Sequence, residues 1–177
     1  MPRLLIAAVL AAVLVAPTSA AAAPRPAKSQ RAAAEAAPAP LTVATAVGRR
    51  HWGAVPCHGR ITVLARQPLA PGVDPATDAW VTFDSSLGAN DLAAPASSYT
   101  NCVIAFANWR WPTNASMRED WDMLCTTMTH ELGHLLGRPH DSAPGSVMAP
   151  IFTDGSSVPP ACRAARPRER RARAARS

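Results

Sequence analysis

The chain has 177 residues, a formal net charge of +6 at pH 7 and four cysteines. The charge lies at one end: residues 163–177 hold seven arginines and one glutamate, a net +6, whereas residues 41–162 hold seven arginines and ten acids, a net −3. This distribution argues against a nucleic-acid-binding domain. The segment 163–177 is typical of a disordered basic tail, which could contact anionic surfaces.

The N-terminal residues 1–22 are typical of a secretory signal peptide. A short positive start precedes an unbroken apolar run at 4–16, and small residues follow it. The run is shorter than the ~20 residues that span a bilayer, so a cleaved signal is favoured over a membrane anchor. Residues 23–40 are rich in alanine and proline and form a flexible leader or short pro-segment. We therefore expect a secreted, extracellular protein without a membrane span in its mature form.

Residues 41–162 are long enough for one domain with a single hydrophobic core. The apolar pattern predicts, in chain order, a helix over 42–52, strands over 61–65 and 79–83, a loop over 88–98, a strand over 102–106 and a long helix over 117–136. Ser116 and Glu119 have the spacing of a capping box at the start of that last helix. Gly137, followed by Pro139, has the spacing of a C-terminal cap. We expect an α+β domain whose twisted mixed sheet packs on the long helix.

All four cysteines lie inside this domain, and an even number in an exported protein favours two disulfides. Three pairings are possible. We favour Cys57–Cys102 and Cys125–Cys162, which would tie the sheet together and fasten the C-terminal segment to the long helix. A four-cysteine zinc site is the alternative, but no pair has the close Cys-x-x-Cys spacing of such sites.

The segment HELGHLLGRPH carries the residue types of a catalytic zinc site. His130 and His134 are four apart, so on a helix both side chains project from the same face. Glu131 is adjacent to the first histidine and can hydrogen-bond a zinc-bound water. Gly137 permits a sharp turn, after which His140 returns to complete a set of three ligands. The fourth position stays open for water, as in catalytic rather than structural zinc sites.

Met148 follows the third histidine by eight residues, within the segment SVMAP. Together the two segments resemble the metzincin clan of zinc endopeptidases, and their spacing is most similar to the matrixins. The resemblance implies that His130, His134 and His140 bind one catalytic zinc ion, that Glu131 is the general base, and that Met148 supports the ligands from beneath. It also implies a metzincin-like fold, with zinc in a cleft and a short C-terminal subdomain after the methionine turn.

By this resemblance we expect a secreted, monomeric endopeptidase that hydrolyses internal peptide bonds of extracellular proteins through a zinc-bound water activated by Glu131. An extended polypeptide substrate would pair with an edge strand, for which residues 101–108 are the candidate. A plain buried core strand is an equal alternative for these residues. The wall of the pocket beyond the scissile bond would come from residues 150–160, which favour an apolar or undemanding side chain.

The chain also departs from the family pattern. Asp141 stands where matrixins have serine, and Ala149 stands where they commonly have tyrosine. Pro150 occupies the position of the metal-contacting tyrosine of astacins and serralysins. No cysteine lies between residues 21 and 56, so a cysteine-switch latency is not expected. No cluster of carboxylates indicates calcium.

Two other functions remain open at this level. A zinc-dependent hydrolase of cell-wall peptide or other amide bonds could use the same motif, and an inactive metal-binding or adhesion protein is the third hypothesis. Tyr99 is assigned no role, and His51 and His58 are expected to be exposed rather than ligands. Residues 114–116 form a glycosylation sequon, but we prefer Ser116 as a helix cap.

Overall fold

The structure is a computed structural model, and it describes residues 39–152 and 157–166. The predicted signal peptide, nearly all of the leader and most of the basic tail lie outside the described residues. In chain order the elements are α1 (Ala39–Trp52), β1 (Ile61–Gln67), β2 (Ala79–Ser85), β3 (Gly88–Ala89), β4 (Thr100–Ala107), α2 (Asn114–Glu119), α3 (Trp121–His134) and α4 (Pro160–Ala164). In this part of the chain no helix is both long and apolar enough to cross a membrane.

The sheet has the order β1-β4-β2-β3 and is mixed. β1 pairs with β4 in parallel, whereas β2 runs antiparallel to both β4 and β3. The β-branched run in β1 and the apolar residues of β2 and β4 form the predicted strands, each one or two residues longer than expected at an end. The predicted α+β class with a mixed sheet is therefore confirmed.

The place of β4 corrects one expectation. Residues 101–108 were a candidate for the edge strand, but β4 lies between β1 and β2, and the alternative of an inner core strand is right. Its partners on both sides are long-range ones, which no local pattern shows. The outer side of the sheet next to β2 is covered by β3 only at Asp84 and Ser85. Among the described residues β1 therefore lies at one edge of the sheet, and the outer edge of β2 is only partly paired.

α1 packs closely along α3. A Cβ on Gly48 would lie 2.6 Å from Cδ1 of Leu132 and 3.3 Å from Cα of Thr129, so the two helices approach to a distance that only glycine allows. The fully buried apolar residues of α1 and α3 join those of the strands in one core: Leu41, Ala44, Val47, Ile104, Phe106, Leu124, Met128, Leu132 and Leu135. The sheet and α1 together hold α3 from two sides.

The start of the long helix differs from the prediction. Its capping box is formed by Thr113 and Ser116 rather than by Ser116 and Glu119. The helix is also interrupted at Asp120, which adopts φ −99° and ψ 38° and separates α2 from α3. The carboxylate of Asp120 accepts a hydrogen bond from the indole of Trp111 and forms an ion pair with Arg110. These contacts hold Asp120 at the point where the helix is interrupted.

Two boundaries also shift. Ala39 and Pro40, which the composition assigns to the leader, begin α1. Arg163 and Ala164, which it assigns to the tail, complete α4. Arg166 then pairs with Asp122 of α3. The described helices therefore extend two residues beyond both predicted ends of the domain.

Both favoured disulfides are present, Cys57–Cys102 and Cys125–Cys162, and no cysteine is free. This rules out the alternative of a four-cysteine zinc site. The second disulfide joins α3 to α4, and the indole of Trp121 donates to the carbonyl of Cys162 at 2.8 Å. The chain between these two cysteines contains every histidine and the glutamate of the predicted site.

Replacing Cys125 and Cys162 together by serine should lower the free energy of unfolding by about 3–4 kcal/mol. The reason is that the disulfide no longer closes a loop across a sequence separation of 37 residues, which gives the unfolded chain more conformational freedom. It should also weaken zinc binding by the protein that is still folded, because α4 no longer anchors the far end of the ligand-bearing segment. Urea denaturation and a zinc titration measure the two effects.

The matched control replaces Cys57 and Cys102, whose separation of 45 residues predicts a similar loss of about 4 kcal/mol. The loop between these two cysteines contains none of the three predicted zinc ligands, so zinc affinity should stay close to that of the unmodified protein. Equal loss of zinc affinity in both variants would contradict the assigned role of the second disulfide.

Candidate metal centre

α3 supplies two of the three histidines. Every residue of the chain from Leu124 to Leu135 is buried, so His130 and His134 lie on a helix that is held on all sides. Being four residues apart, they project from one face, and their Nε2 atoms are 3.0 Å apart. The two rings are nearly perpendicular, with centroids 4.6 Å apart. The helix thus brings two nitrogen atoms to one point, as the spacing predicted.

The third histidine is brought back by a turn at Gly137. This residue has φ +76°, and the amide of Arg138 donates to the carbonyl of Gly133 in the manner of a left-handed helix cap. A Cβ on Gly137 would also lie 3.3 Å from the Cβ of Ala96. Beyond the turn, Nε2 of His140 lies 3.2 Å from Nε2 of His134. The ligand atoms of the three histidines all lie within 4.8 Å of one another.

The hydrogen bonds made by Nδ1 of His130 and of His134 show which nitrogen atom of each ring carries the proton. Nδ1 of His130 lies 2.8 Å from the carbonyl oxygen of Val147, and Nδ1 of His134 lies 2.8 Å from that of Arg138. A carbonyl only accepts, so each Nδ1 carries the proton and donates it. Both Nε2 atoms then carry lone pairs and cannot hydrogen-bond each other. Their separation of 3.0 Å is repulsive unless a cation lies between them.

A zinc ion fits this arrangement. Ligand nitrogens at ~2.0–2.1 Å from a tetrahedral zinc are about 3.3 Å apart, close to the two separations observed. Burial lowers the pKa of His130 to about 4 and also lowers the pKa of His134, which keeps both rings neutral and able to bind metal. Carbonyl oxygens behind metal-binding histidines are the usual way in which such rings are oriented. Three imidazoles with room for a further ligand suit zinc.

Glu131 lies on α3 about 100° around the helix from His130. Glu131 is only 5% exposed, and burial raises the pKa of its carboxyl group to about 8. A divalent cation beside the carboxyl group would act in the opposite direction and favour the ionised form. The charge of the Glu131 carboxyl group therefore depends on whether a cation is bound beside it.

Met148 packs against α3 at Gly133, which directly precedes His134. A Cβ on Gly133 would collide with the sulfur of Met148 and would lie 2.9 Å from Cζ2 of Trp52. The carbonyl of Met148 accepts from the amide of Asp141 at 2.9 Å. The methionine turn is thus bonded to the residue that follows the third ligand. The side chain of Asp141 accepts from the amide of Ala143, so it shapes the same loop.

The structure also shows residues that sequence reasoning missed. Tyr99, which was assigned no role, is fully buried, stacks on Phe83 with ring centroids 4.1 Å apart, and packs near Gly137. Phe152 stands edge-on to His130 at 5.6 Å. These contacts join segments far apart in the chain, so no spacing could indicate them. Residues 153–156 of the predicted pocket wall lie outside the described residues.

The other two histidines behave as expected. His51 and His58 are exposed. Among residues 39–152 and 157–166, the group that could hold a metal ion consists of His130, His134 and His140. The sequon at Asn114 lies on the exposed first residue of α2, and Ser116 is part of the capping box there.

The small α+β domain, the histidine triad and the methionine turn define a zinc metallopeptidase of the metzincin kind. The family model of the matrixins, peptidase family M10, matches residues 50–160, more than half of the chain. The chain therefore belongs to the matrixin family, in spite of Asp141 and Ala149. No curated protein and no solved structure gives a significant match to the chain.

Gly137→Ala should lower the free energy of unfolding by about 1–2 kcal/mol, because a Cβ is unfavourable at positive φ. It should also reduce zinc affinity, because the crowding by Ala96 shifts the turn that carries His140. Gly72→Ala is the control: Gly72 has φ +84°, but nothing lies within 4 Å of its Cβ position. Chemical denaturation and zinc titration of both should show similar losses of stability, with zinc affinity reduced only in Gly137→Ala.

The stability of the protein in chelator should depend on the ionisation of Glu131. Its pKa is about 8 in the folded chain and ordinary, about 4.5, in the unfolded chain. The folded state therefore binds more protons at Glu131 between these values, which lowers stability as the pH rises. Below about pH 6.5 the lowered pKa values of His130 and His134 act in the opposite direction, because these rings bind more protons in the unfolded chain. The fall in stability due to Glu131 should therefore show between about pH 6.5 and 8, by up to about 1.4 kcal/mol per pH unit. Glu131→Gln should flatten this dependence in urea denaturation curves. An equally steep decline in the variant would contradict the assignment to Glu131.

Proposed function

We propose that the protein is a secreted zinc-dependent endopeptidase that hydrolyses internal peptide bonds of extracellular proteins. The observation that carries the proposal is the convergence of three imidazoles, two of them held by backbone carbonyls, with a buried glutamate directly after the first of the three histidines. Membership of the matrixin family supports the same reaction class. Export is inferred from residues 1–22 alone, and N-terminal sequencing of protein recovered outside the cell tests it.

His130, His134 and His140 would hold the zinc ion, leaving a side open to solvent and substrate. When bound, zinc polarises the scissile carbonyl and lowers the pKa of a coordinated water towards ~7. Glu131 would accept the proton of the attacking water and later return it to the leaving amine. The burial of Glu131 would exclude bulk water from this proton transfer.

The substrate would lie extended along β2. Among the described residues β1 lies at one edge of the sheet and the outer edge of β2 is only partly covered by β3. We favour β2 because of its connection to the turn that carries His140. Phe83 of β2 stacks on Tyr99, and Tyr99 packs near the Gly137 turn, so the strand is connected to the turn that carries the third histidine. Backbone hydrogen bonds to a strand edge bind a peptide with little regard to its side chains.

Glu131→Gln should retain stoichiometric zinc and lose about 10²–10⁴-fold in kcat on a protein substrate, because the proton acceptor is gone while the ligands remain. Metal analysis and cleavage of casein or gelatin, with and without chelator, provide the measurements. Glu119→Gln is the control, because Glu119 is an exposed acid at the end of α2. This variant should cleave the substrate at the rate of the unmodified protein. Cleavage by Glu131→Gln at the unmodified rate would refute the proposed mechanism.

The basic tail favours one alternative substrate. Seven arginines in residues 163–177 could hold an enzyme to an anionic surface such as a cell wall, where the same centre would hydrolyse cell-wall peptide or other amide bonds. Release of peptide from cell-wall material without cleavage of casein or gelatin would select this alternative. Unaltered surface retention after deletion of residues 167–177 would remove the argument from the tail.

A further inference from the structure

Trp52, the last residue of α1, contacts the metal-binding segment at more than one place. Its indole Nε1 donates to the carbonyl of Thr129 at 2.8 Å, and Thr129 directly precedes the first helical ligand. Its ring edge lies against Gly133, which directly precedes the second ligand, as the 2.9 Å distance from Cζ2 to a Cβ built there shows. One aromatic ring therefore touches the residue before each ligand of α3.

The face of the same ring contacts the segment that leads to the third ligand. The guanidinium carbon of Arg138 lies 4.4 Å from the ring centroid of Trp52, a cation–π distance. Arg138 is also the residue whose carbonyl accepts from Nδ1 of His134. Any shift of the indole thus acts on a carbonyl that orients a ligand, as well as on the helix that carries it.

Trp52 and Met148 contact the same residue of α3. Both lie against Gly133, and the absence of a side chain there makes room for the two together. Met148 is held by its own backbone to Asp141, next to the third ligand. The indole and the thioether therefore form a joint support behind the turn of helix between the ligands.

We propose that Trp52 is a positioning residue of the metal centre, which holds the helical ligand pair and the turn to the third ligand at the separation that a single metal ion requires. The inference rests on the proposed metal centre and adds to it a residue outside the motif and its methionine turn. Trp52 touches neither metal nor substrate in this role. Its hydrogen bond fixes α3 along its axis, and its ring fixes the distance from α3 to the Arg138 segment.

The test compares Trp52→Phe, which removes the N–H donor and keeps most of the ring, with Trp52→Ala, which removes both. Trp109→Phe is the matched control, because Trp109 is exposed and likewise donates its indole N–H to a carbonyl, that of Thr77, at 3.0 Å. Each purified protein is titrated with zinc against a chelator of known affinity. Each is also loaded with cobalt(II), whose visible absorption reports the geometry of the ligands.

We expect Trp52→Phe to bind zinc about 10-fold more weakly and Trp52→Ala about 100-fold more weakly, in the range of other residues that orient ligands. The cobalt spectrum of both should change, whereas Trp109→Phe should match the unmodified protein in both measurements. A lower melting temperature of the Trp52 variants with unchanged zinc affinity and cobalt spectrum would overturn the proposal, since it would show a purely structural role. If Trp52→Ala does not fold, Trp52→Phe decides alone. Failure of the unmodified protein to bind zinc would instead refute the proposed function.

Discussion

The hydrogen bonds from His130 and His134 to two backbone carbonyls fix the protonation of both rings. Each bond commits the proton to Nδ1, so each ring presents a lone pair at Nε2, and the two lone pairs face each other at 3.0 Å. Two like dipoles held this close store unfavourable energy that a cation removes. The protein keeps this arrangement because both carbonyls belong to segments that are themselves held: Val147 by the methionine turn, and Arg138 by the Gly137 turn and the indole of Trp52.

The rest of the fold can be understood as the means of holding those two carbonyls. α1 and the sheet enclose α3, and the close approach at Gly48 fixes α1 against it. The loop that contains Tyr99 limits the Gly137 turn from one side. Asp141 joins the third ligand's segment to the methionine turn through the carbonyl of Met148. His140 itself is exposed, but the geometry of the centre depends on contacts with segments from most of the domain.

The site could be predicted from sequence because its chemistry is local. The three histidines, Glu131 and Met148 lie within 19 residues, and helical spacing together with one glycine turn determines how they meet. The inner position of β4 and the role of Trp52 depend on pairings between distant segments, which leave no periodic signal. The helix start shows a different limit, since Thr113-Ser116 and Ser116-Glu119 both have capping spacing. The structure has the Thr113–Ser116 box, and the helix pattern shows neither this choice nor the break at Asp120, where Arg110 and Trp111 contact the carboxylate.

The Cys125–Cys162 disulfide has a consequence for any cleavage of this chain, including cleavage by another copy of the proposed endopeptidase. Every ligand, the glutamate and the methionine turn lie between the two bridged cysteines. A single nick anywhere in that stretch, including one made by a neighbouring copy, leaves both pieces joined as one covalent molecule. Self-digestion in the most exposed loops would then be visible only after reduction, while the oxidised protein keeps its parts together and within reach of one another.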